Sequence, residues 1–495
     1  MVRKNLQAET LAALYWKFAE KAFSRIVSVL VTLLLARLLV PEDFGLIAML
    51  SVCLALANVF VEGGMSDALI RMDKVDQTAA DTVFICNVVT ASALFAILFT
   101  AAPLIANFYD HPALLELVRV GGISVILSAF ANVQQALLTK ELAFSSITKA
   151  VAPASVISGI IATCCAYQGF GVWSLVTQVL VQSLLTSWFL WMVSSWRPRL
   201  RFDFHAYRKI MRFGGYLLLN KAIDIPFRQM HLIVVTKLFS AQEAGFYYFA
   251  ERVRGLFQDQ IVGAVQNVIY PSLASIKSDN QRLVQAYRIT VSMGSFLLIP
   301  PVLFFVVLAP ELVMIAFPPR WQGCELYIQL LLIAGLLYPL HAINLNILKI
   351  KGQARLIFRL GLLKKAISIG VLVLSLQWGV LGLMIGQSVG SLIAYILNSY
   401  YSSKLLRYAV RTQLADFLPG LLLSTVAALA GHVVLSASAL PPGMSVMSAT
   451  LTMALVYIGL GWRLRLRGMM STMELIILPS IRKIRKKKTD SAARL

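Results

Sequence analysis

Charged side chains recur at helical spacing inside long apolar stretches of this sequence. Lys21 and Arg25 are four residues apart, and Lys221, Asp224 and Arg228 follow at i, i+3 and i+7, so each set lies along one face of a helix. Lysine and arginine bind phosphate oxygens, and arginine does so through two parallel hydrogen bonds. The chemistry that these residue types favour is therefore the binding of a phosphate-like anion.

Six basic side chains are the candidates for lining such an anion-binding cavity: Lys21, Arg25, Lys221, Arg228, Arg252 and Arg254. A buried carboxylate takes up a proton more readily than an exposed one, so acidic side chains in the same cavity suit ion coupling. The acidic candidates are Glu62, Asp224, Glu251 and Asp259. The competing interpretation is structural ion pairing, such as Asp224 with Arg228 and Glu251 with Arg254.

The composition identifies the medium in which these charges lie. The chain has 495 residues, of which 58% are hydrophobic and 14% are charged. A soluble protein carries about 25% charged residues, so this chain cannot cover a water-facing surface. The bilayer must be its main solvent, and each charge at mid-depth then costs about 2.5–3.5 kcal/mol.

The elements that must position the charges are transmembrane helices, each of about 20 mostly apolar residues. Fourteen stretches have this character: 14–37, 44–69, 80–106, 114–138, 146–167, 171–195, 212–236, 245–271, 286–308, 324–347, 360–377, 380–401, 415–436 and 444–463. The predicted fold class is an all-α membrane protein with about 14 transmembrane helices. The helices from 360 onward are expected to carry no ionisable residue at comparable depth.

An internal repeat predicts how the helices are grouped. Shifting the chain by 200 residues superposes 16–70 on 216–270, and Lys21, Gly45 and Gly63 then meet Lys221, Gly245 and Gly263. Six helices return the chain to its starting side, so the repeats are parallel and enclose a central cavity. The predicted domains are an N-terminal lobe (1–200), a C-terminal lobe (201–411), two extra helices (412–465) and a basic cytoplasmic tail (466–495).

Basic residues alternate between the loops and predict the orientation. The loops at 70–79, 194–209, 277–282 and 349–355 are rich in lysine and arginine, whereas the intervening loops are nearly free of them. Both termini are therefore expected in the cytoplasm, in a multi-pass protein of the bacterial inner membrane. The basic tail suits anionic membrane lipids, and no nucleic-acid module is present.

Other site types find little support in the sequence. The five cysteines form no metal-binding or disulfide pattern, so we expect no metal and no cofactor. Every predicted outside loop is about 15 residues or shorter, and none holds a His/Asp/Glu constellation. A membrane polysaccharide polymerase or ligase is therefore disfavoured, and no catalytic residue is predicted.

Five segments carry a resemblance to a known family: ARLLVPEDFGLIAM (36–49), FVEGGMSDALIR (60–71), QGFGVWSLVTQ (168–178), VIYPSLASI (268–276) and PPRWQGCELY (318–327). They are similar to the polysaccharide-exporter family, the Wzx-type flippases, and in particular to its colanic-acid-exporter-like branch. That family belongs to the multidrug/oligosaccharidyl-lipid/polysaccharide exporter superfamily. The similarity extends over roughly residues 10–410.

The resemblance implies two six-helix lobes plus two helices, and alternating access coupled to protons or sodium. The implied substrate is an undecaprenyl-pyrophosphate-linked oligosaccharide, moved from the cytoplasmic to the periplasmic leaflet. The implied pathway is synthesis of exopolysaccharide, capsule or O-antigen, with other polysaccharide assembly proteins as partners. The family has no fixed catalytic motif, so no catalytic residue is carried over.

Two transport alternatives remain open. A lipid-linked peptidoglycan-precursor flippase would share the cationic cavity and is disfavoured only by the five segments. A multidrug/cation antiporter of the same superfamily would favour an acidic cavity, whereas the deep cations here are at least as numerous as the deep anions.

Overall fold

The computed structural model describes residues 27–264, 269–406 and 408–474; the side chains of 259–264 and 271 lie outside this description. Over these ranges the chain forms helices and no strand. The helices are α1 Val27–Leu38, α2 Pro41–Glu62, α3 Met65–Arg71, α4 Gln77–Tyr109, α5 Leu114–Gly121, α6 Ile123–Lys140, α7 Phe144–Tyr167, α8 Val172–Val193, α9 Phe204–Leu238, α10 Ala241–Ala264, α11 Tyr270–Ser275, α12 Asn280–Ala316, α13 Cys324–Gly335, α14 Tyr338–Ile350, α15 Ala354–Ser375, α16 Gly379–Leu406, α17 Val410–Ala437, α18 Pro442–Arg463 and α19 Arg467–Thr472.

Ten helical stretches in the described ranges are long and apolar enough to cross a membrane. One of them, Ala354–Leu406, contains both α15 and α16. The long helices α9 and α10 fall outside this group because they carry more charged residues, and only the second half of the first predicted span is described. The predicted fold class, an all-α membrane protein with about 14 helices, is confirmed.

Aspartate side chains begin three of the long helices. Asp76, Asp203 and Asp279 each accept a hydrogen bond from a backbone N–H in the first turn of α4, α9 and α12. These bonds satisfy N–H groups that have no partner within the helix. Pro41 begins α2, where the missing N–H costs nothing.

Backbone contacts divide the chain into two compact units, Met1–Tyr248 and Phe249–Leu495. In the first unit α2 is the most enclosed span and packs against α4, α6, α8 and α9, while α7 and α8 form a closely packed pair. Helix α9 also contacts α3 and α4. The predicted domain boundaries refer to the sequence repeat and stay a prediction.

The first turns of α2 and α10 meet backbone to backbone. A β-carbon on Gly45 would lie 2.0 Å from the carbonyl oxygen of Ala241, and one on Gly245 would lie 1.9 Å from the carbonyl oxygen of Pro41. Pro41 and Gly45 correspond to Ala241 and Gly245 under the 200-residue shift. The contact is therefore reciprocal, as at a two-fold interface, and it pairs equivalent positions of the repeat.

In the second unit α12 packs against α13, α17 and α19, and α16 packs against α13, α14 and α15. A buried polar network joins these helices. Tyr287 on α12 donates a hydrogen bond to the Asn344 side chain on α14 (2.8 Å), Ser402 on α16 donates to the same oxygen, and Ser399 donates to Gln413 on α17 (2.6 Å). Mutual satisfaction removes most of the cost of burying these groups.

An ion-pair cluster ties α12 to α17 and α19. Arg288 donates to both carboxylate oxygens of Asp416, at 2.7 and 3.1 Å, and Arg467 lies 3.6 Å from the same carboxylate. Tyr408 also donates to Asp416. Bidentate pairing fixes the geometry of both side chains, so this cluster anchors α17 and α19 to α12.

Candidate functional site

Lys221 on α9 is the candidate basic residue with the clearest set of partners. Its ammonium lies 3.2 Å from Glu62 Oε2 and 3.0 Å from Asp67 Oδ2. The three side chains are 36%, 52% and 44% exposed, so the group is open at one side. Lys221 is 17 residues into the 35-residue α9, close to its middle. A charged triad thus lies at mid-helix in the first unit.

Two glycines bring the carboxylates of the triad together. Glu62 is the last residue of α2, and Gly63 and Gly64 follow with φ of 50° and 66°. This left-handed region is costly for residues with a β-carbon, so glycine is needed at the bend. The chain then re-enters a helix at Met65, which places Asp67 beside Glu62.

A second glycine contact sets the distance between α9 and this bend. A β-carbon on Gly64 would lie 2.2 Å from the carbonyl oxygen of Gly214. Gly214 is two turns before Lys221 on the same face of α9. The close backbone approach therefore lets the lysine side chain reach both acids.

The triad modifies the sequence-based prediction. Lys221 and Glu62 were expected in the site, whereas Asp67 was not among the candidates. Two carboxylates against one ammonium give the triad a formal charge of −1. In this arrangement Lys221 is a partner of acids, and it is available to an anion only when that anion displaces them.

The other candidates on α9 differ in their surroundings. Asp224 accepts a 3.5 Å hydrogen bond from Asn220 and has further interactions. Arg228 is exposed, and its guanidinium makes no hydrogen bond or ion pair with any other residue of the described ranges. The structural pairing of Asp224 with Arg228 is thus not formed, and Arg228 keeps its hydrogen-bond donors available.

In the second unit, Arg254 is paired as the structural interpretation expected. It donates to Glu251, and its Nη1 donates to Gln387 Oε1 on α16 at 2.8 Å. A β-carbon on Gly335 would lie 3.8 Å from Arg254 Cγ and Cδ, so the aliphatic part of the side chain passes over α13. Arg254 therefore links α10 to α13 and α16.

The structure gives less information on the surroundings of the remaining candidate site residues. Lys21, Arg25 and the side chain of Asp259 lie outside the described residues. Arg252 is exposed and has interactions of its own. The roles of all these residues in substrate binding or ion coupling stay predictions, as does the cavity between the predicted lobes.

Sequence reasoning missed two polar residues in the second unit. Lys364 was placed near the start of a span at 360, but α15 begins at Ala354, so the lysine lies about 15 Å along the helix. It donates a 3.1 Å hydrogen bond to Asn398, and His341 on α14 is bonded to Ser391 at 3.1 Å. Lys364 thus lies in the interior of α15, and the expectation of no deep ionisable residue after 360 stays a prediction.

Comparison with known proteins adds to this geometry. The model of a family described as "Polysaccharide biosynthesis protein" matches residues 34–326. The chain is 24% identical over 338 residues to the succinoglycan biosynthesis transport protein ExoT of Rhizobium meliloti (strain 1021), an alignment that covers 68% of each protein. It is 23% identical over 406 residues to the lipopolysaccharide biosynthesis protein WzxC of Escherichia coli (strain K12), covering 80% of this chain and 81% of WzxC.

Solved structures share the fold. The lipid II flippase MurJ in an inward closed conformation matches with a TM-score of 0.73 at 16% identity, over 90% of this chain and 97% of MurJ. An inward-facing multidrug resistance transporter of the MATE family, within the MOP superfamily, matches with a TM-score of 0.60 at 18% identity, over 77% and 94% of the two chains. At these identities the likeness establishes the architecture alone.

Proposed function

Because this chain belongs to the polysaccharide biosynthesis protein family, we propose that it is a flippase that moves a lipid-linked oligosaccharide across the bacterial inner membrane. The names of the relatives support this proposal, since ExoT is a succinoglycan transport protein and WzxC a lipopolysaccharide biosynthesis protein. Transport, with no covalent chemistry on the glycan, is the activity that we propose.

The observation that carries the proposal is the charged middle of α9. A long helix packed against the membrane-spanning α2 and α4 holds Lys221 between two carboxylates and Arg228 with its donors available. An arginine at mid-span costs about 2.5–3.5 kcal/mol on insertion scales, so it marks a place that water or an anion reaches.

The proposed substrate head group is a pyrophosphate on an undecaprenyl carrier. In the proposed cycle the pyrophosphate displaces Glu62 and Asp67 from Lys221, while Arg228 binds phosphate oxygens through paired hydrogen bonds. Lys21, Arg25, Arg252 and Arg254 are proposed to complete the basic lining. The glycan follows the head group, and the prenyl chain stays in lipid.

Release of the carboxylates suggests how transport is coupled to an ion. When the basic side chains bind the substrate, four acidic side chains are the proposed acceptors of a proton or sodium ion: Glu62, Asp224, Glu251 and Asp259. We propose alternating access with both termini in the cytoplasm, where the basic tail meets anionic lipids. Other polysaccharide assembly proteins are proposed partners that supply or polymerise the glycan.

The test uses the purified full chain in liposomes that contain a fluorescent pyrophosphate-linked prenyl oligosaccharide, with leaflet position read by a membrane-impermeant quencher. Arg228→Ala should slow translocation about 10–100-fold, because charge-assisted hydrogen bonds are worth about 1.5–3 kcal/mol. Arg228→Lys keeps the charge but loses the paired geometry, so an intermediate rate is expected. Lys349→Ala, which changes an exposed lysine on α14, is the matched control.

Translocation by the wild-type chain that falls with Arg228→Ala and not with Lys349→Ala supports the proposal. A wild-type chain that leaves the pyrophosphate lipid in place but expels cationic dyes would identify a multidrug antiporter. Movement of a lipid-linked peptidoglycan precursor in preference to other glycans would identify a precursor flippase. Either result overturns the proposal.

A further inference from the structure

His341 and Lys364 contact one polar stripe in the second unit. Ser391, Tyr395 and Asn398 on α16 are at i, i+4 and i+7 and so lie on one face. His341 Nε2 is 3.1 Å from Ser391 Oγ, the His341 and Tyr395 rings are 6.5 Å apart, and Lys364 Nζ is 3.1 Å from Asn398 Oδ1. Three helices thus bring an imidazole and an amine onto the same stripe.

Lys364 lies partly buried in the interior of α15, beyond the polar first turns of that helix. It lies ten residues after Ala354, the start of α15, or about 15 Å along the axis. Asn398 lies eight residues before the end of α16, at a similar depth of about 12 Å.

None of the helices α14, α15 and α16 carries an acidic residue that could neutralise Lys364. The sequence contains neither aspartate nor glutamate between Glu325 and Asp416, a stretch that includes all of α14, α15 and α16. Within the described ranges the only hydrogen bond of Lys364 goes to the neutral amide of Asn398. Among the described residues, the charged form of this amine therefore lacks the acidic partner that most intramembrane cations have.

The stripe also contains an unused hydroxyl. Tyr395 is 2% exposed, and its hydroxyl has no hydrogen-bond partner in the described part of the chain. It lies one turn from Asn398 and one turn from Ser391, between the lysine and the histidine. This hydroxyl therefore keeps its capacity to form a hydrogen bond between the two bases.

The helices packed against α15 supply no negative charge in the physiological range. The helices packed against α15 carry, besides His341 and Tyr395, the following titratable residues: Tyr338, Lys349, Tyr400, Tyr401 and Lys404. On α12, which packs against α14, Tyr287 is bonded to Asn344, and Arg288 is paired with Asp416. Two protons on His341 and Lys364 together would place like charges in a weakly polar interior, so one proton per pair is favoured.

We propose that Lys364 and His341, with the stripe formed by Ser391, Tyr395 and Asn398, form a proton-binding site that couples proton movement to transport. The Lys364 amine takes a proton from water on one side to become an ammonium and returns it to water on the other side. When Lys364 gives up this proton, His341 holds it in transit as an imidazolium and becomes neutral again on releasing it, so the pair carries one proton at a time. The coupling role rests on the proposed function, whereas proton binding does not.

Lys364→Arg separates proton exchange from a merely structural role. Arginine keeps a positive charge and can donate to Asn398, but it does not release its proton. If the lysine only holds α15 to α16, the arginine variant should retain transport and its dependence on pH. If the lysine exchanges a proton, the arginine variant should lose the response to a pH gradient. Lys365→Arg, at the neighbouring position of the same helix, is the matched control.

The experiment has two arms on the purified full chain. In the first, potentiometric titration in detergent between pH 5 and pH 9 compares the wild type with Lys364→Arg. We expect about one proton per chain fewer to be taken up by the variant, and no difference for Lys365→Arg. Equal uptake by the wild type and Lys364→Arg overturns the proposed site.

In the second arm, liposomes containing the fluorescent pyrophosphate lipid are given an imposed pH gradient. We expect at least a tenfold loss of gradient stimulation in Lys364→Arg and no loss in Lys365→Arg. Full stimulation of Lys364→Arg overturns the coupling. A wild type that takes up the extra proton but moves no pyrophosphate lipid refutes the proposed function while leaving the proton site intact.

Discussion

The Lys237 ammonium donates a 2.8 Å hydrogen bond to Asp110, the residue that follows α4. This hydrogen bond, and then the positive charge of Lys237, lowers the pKa of Asp110. A carboxyl group whose pKa is lower in the folded state than in the unfolded state, where it is about 3.9, stabilises the fold at higher pH. The stabilisation is present above the unfolded pKa and is lost as pH falls through the folded one.

Asp110→Asn should therefore lower the thermal midpoint at pH 7 but not in strong acid. The Asp110 side chain is 79% exposed, so the difference should be small, about 1 °C. Thermal unfolding in detergent at pH 7 and pH 2.5 measures it. A difference that persists undiminished at pH 2.5 would contradict this account.

Individual charges were predictable from depth, but their partners were not. The position of Lys221 inside an apolar stretch and its spacing from Asp224 and Arg228 marked it from sequence. Asp67 was overlooked because it comes near Glu62 only through the bend at Gly63 and Gly64. A contact between different helices depends on such bends. Residue spacing along a single helix gives no information about them.

The junction of α2 and α10 gives a prediction about packing between helices. Gly45→Ala places a β-carbon 2.0 Å from the Ala241 carbonyl oxygen, and backbone cannot rotate away as a side chain can. We expect a loss of at least about 2 kcal/mol in stability, which exceeds the roughly 1 kcal/mol that alanine gains over glycine within a helix. Denaturant unfolding of the purified chain measures the change.

Gly459→Ala in α18 is the matched control, because no atom lies within 4 Å of its new β-carbon. There the helix-forming advantage of alanine acts alone, and unchanged or slightly raised stability is expected. If Gly45→Ala and Gly459→Ala changed the stability equally, the backbone contact between α2 and α10 would not be as close as described.

Helix number was predictable, whereas helix starts were less so. Apolar runs placed the spans that fall within the described residues, but α9, α12 and α15 begin at Phe204, Asn280 and Ala354, six to eight residues before their predicted starts. The first turns of these helices are polar. A span predicted from hydropathy begins at the edge of the apolar run and therefore leaves them out. In α9 and α12 an aspartate cap extends the helix into that polar segment. The earlier start of α15 places Lys364 ten residues into the helix, where the predicted span had it near the start.

The charge distribution of the whole chain leads to a test of its orientation. The excess of lysine and arginine in alternate loops predicts that the α3–α4 connection is cytoplasmic and the α4–α5 connection periplasmic. In a chain whose five cysteines are replaced by alanine, we expect Ala113→Cys to react with a membrane-impermeant maleimide in intact cells. Asp73→Cys should react only after the inner membrane is permeabilised. Both positions are exposed, so access to the reagent is limited by the membrane alone.

Labelling of Asp73→Cys but not Ala113→Cys in intact cells would reverse the predicted orientation. Comparable labelling of both sites in permeabilised cells is the control for folding. The prediction depends on the alternation of basic loops, which is a property of the entire sequence and survives an error in any one helix boundary.

The reciprocal contact of Gly45 and Gly245 bears on how the two copies of a duplicated segment can diverge. Where two side chains meet, a change in one can be offset by a change in the other. Each glycine here faces a carbonyl oxygen, which every amino acid possesses, so no substitution opposite it can make room. We therefore expect glycine to be retained at both positions. The pair can then be used to align the two halves of the chain in distant homologues.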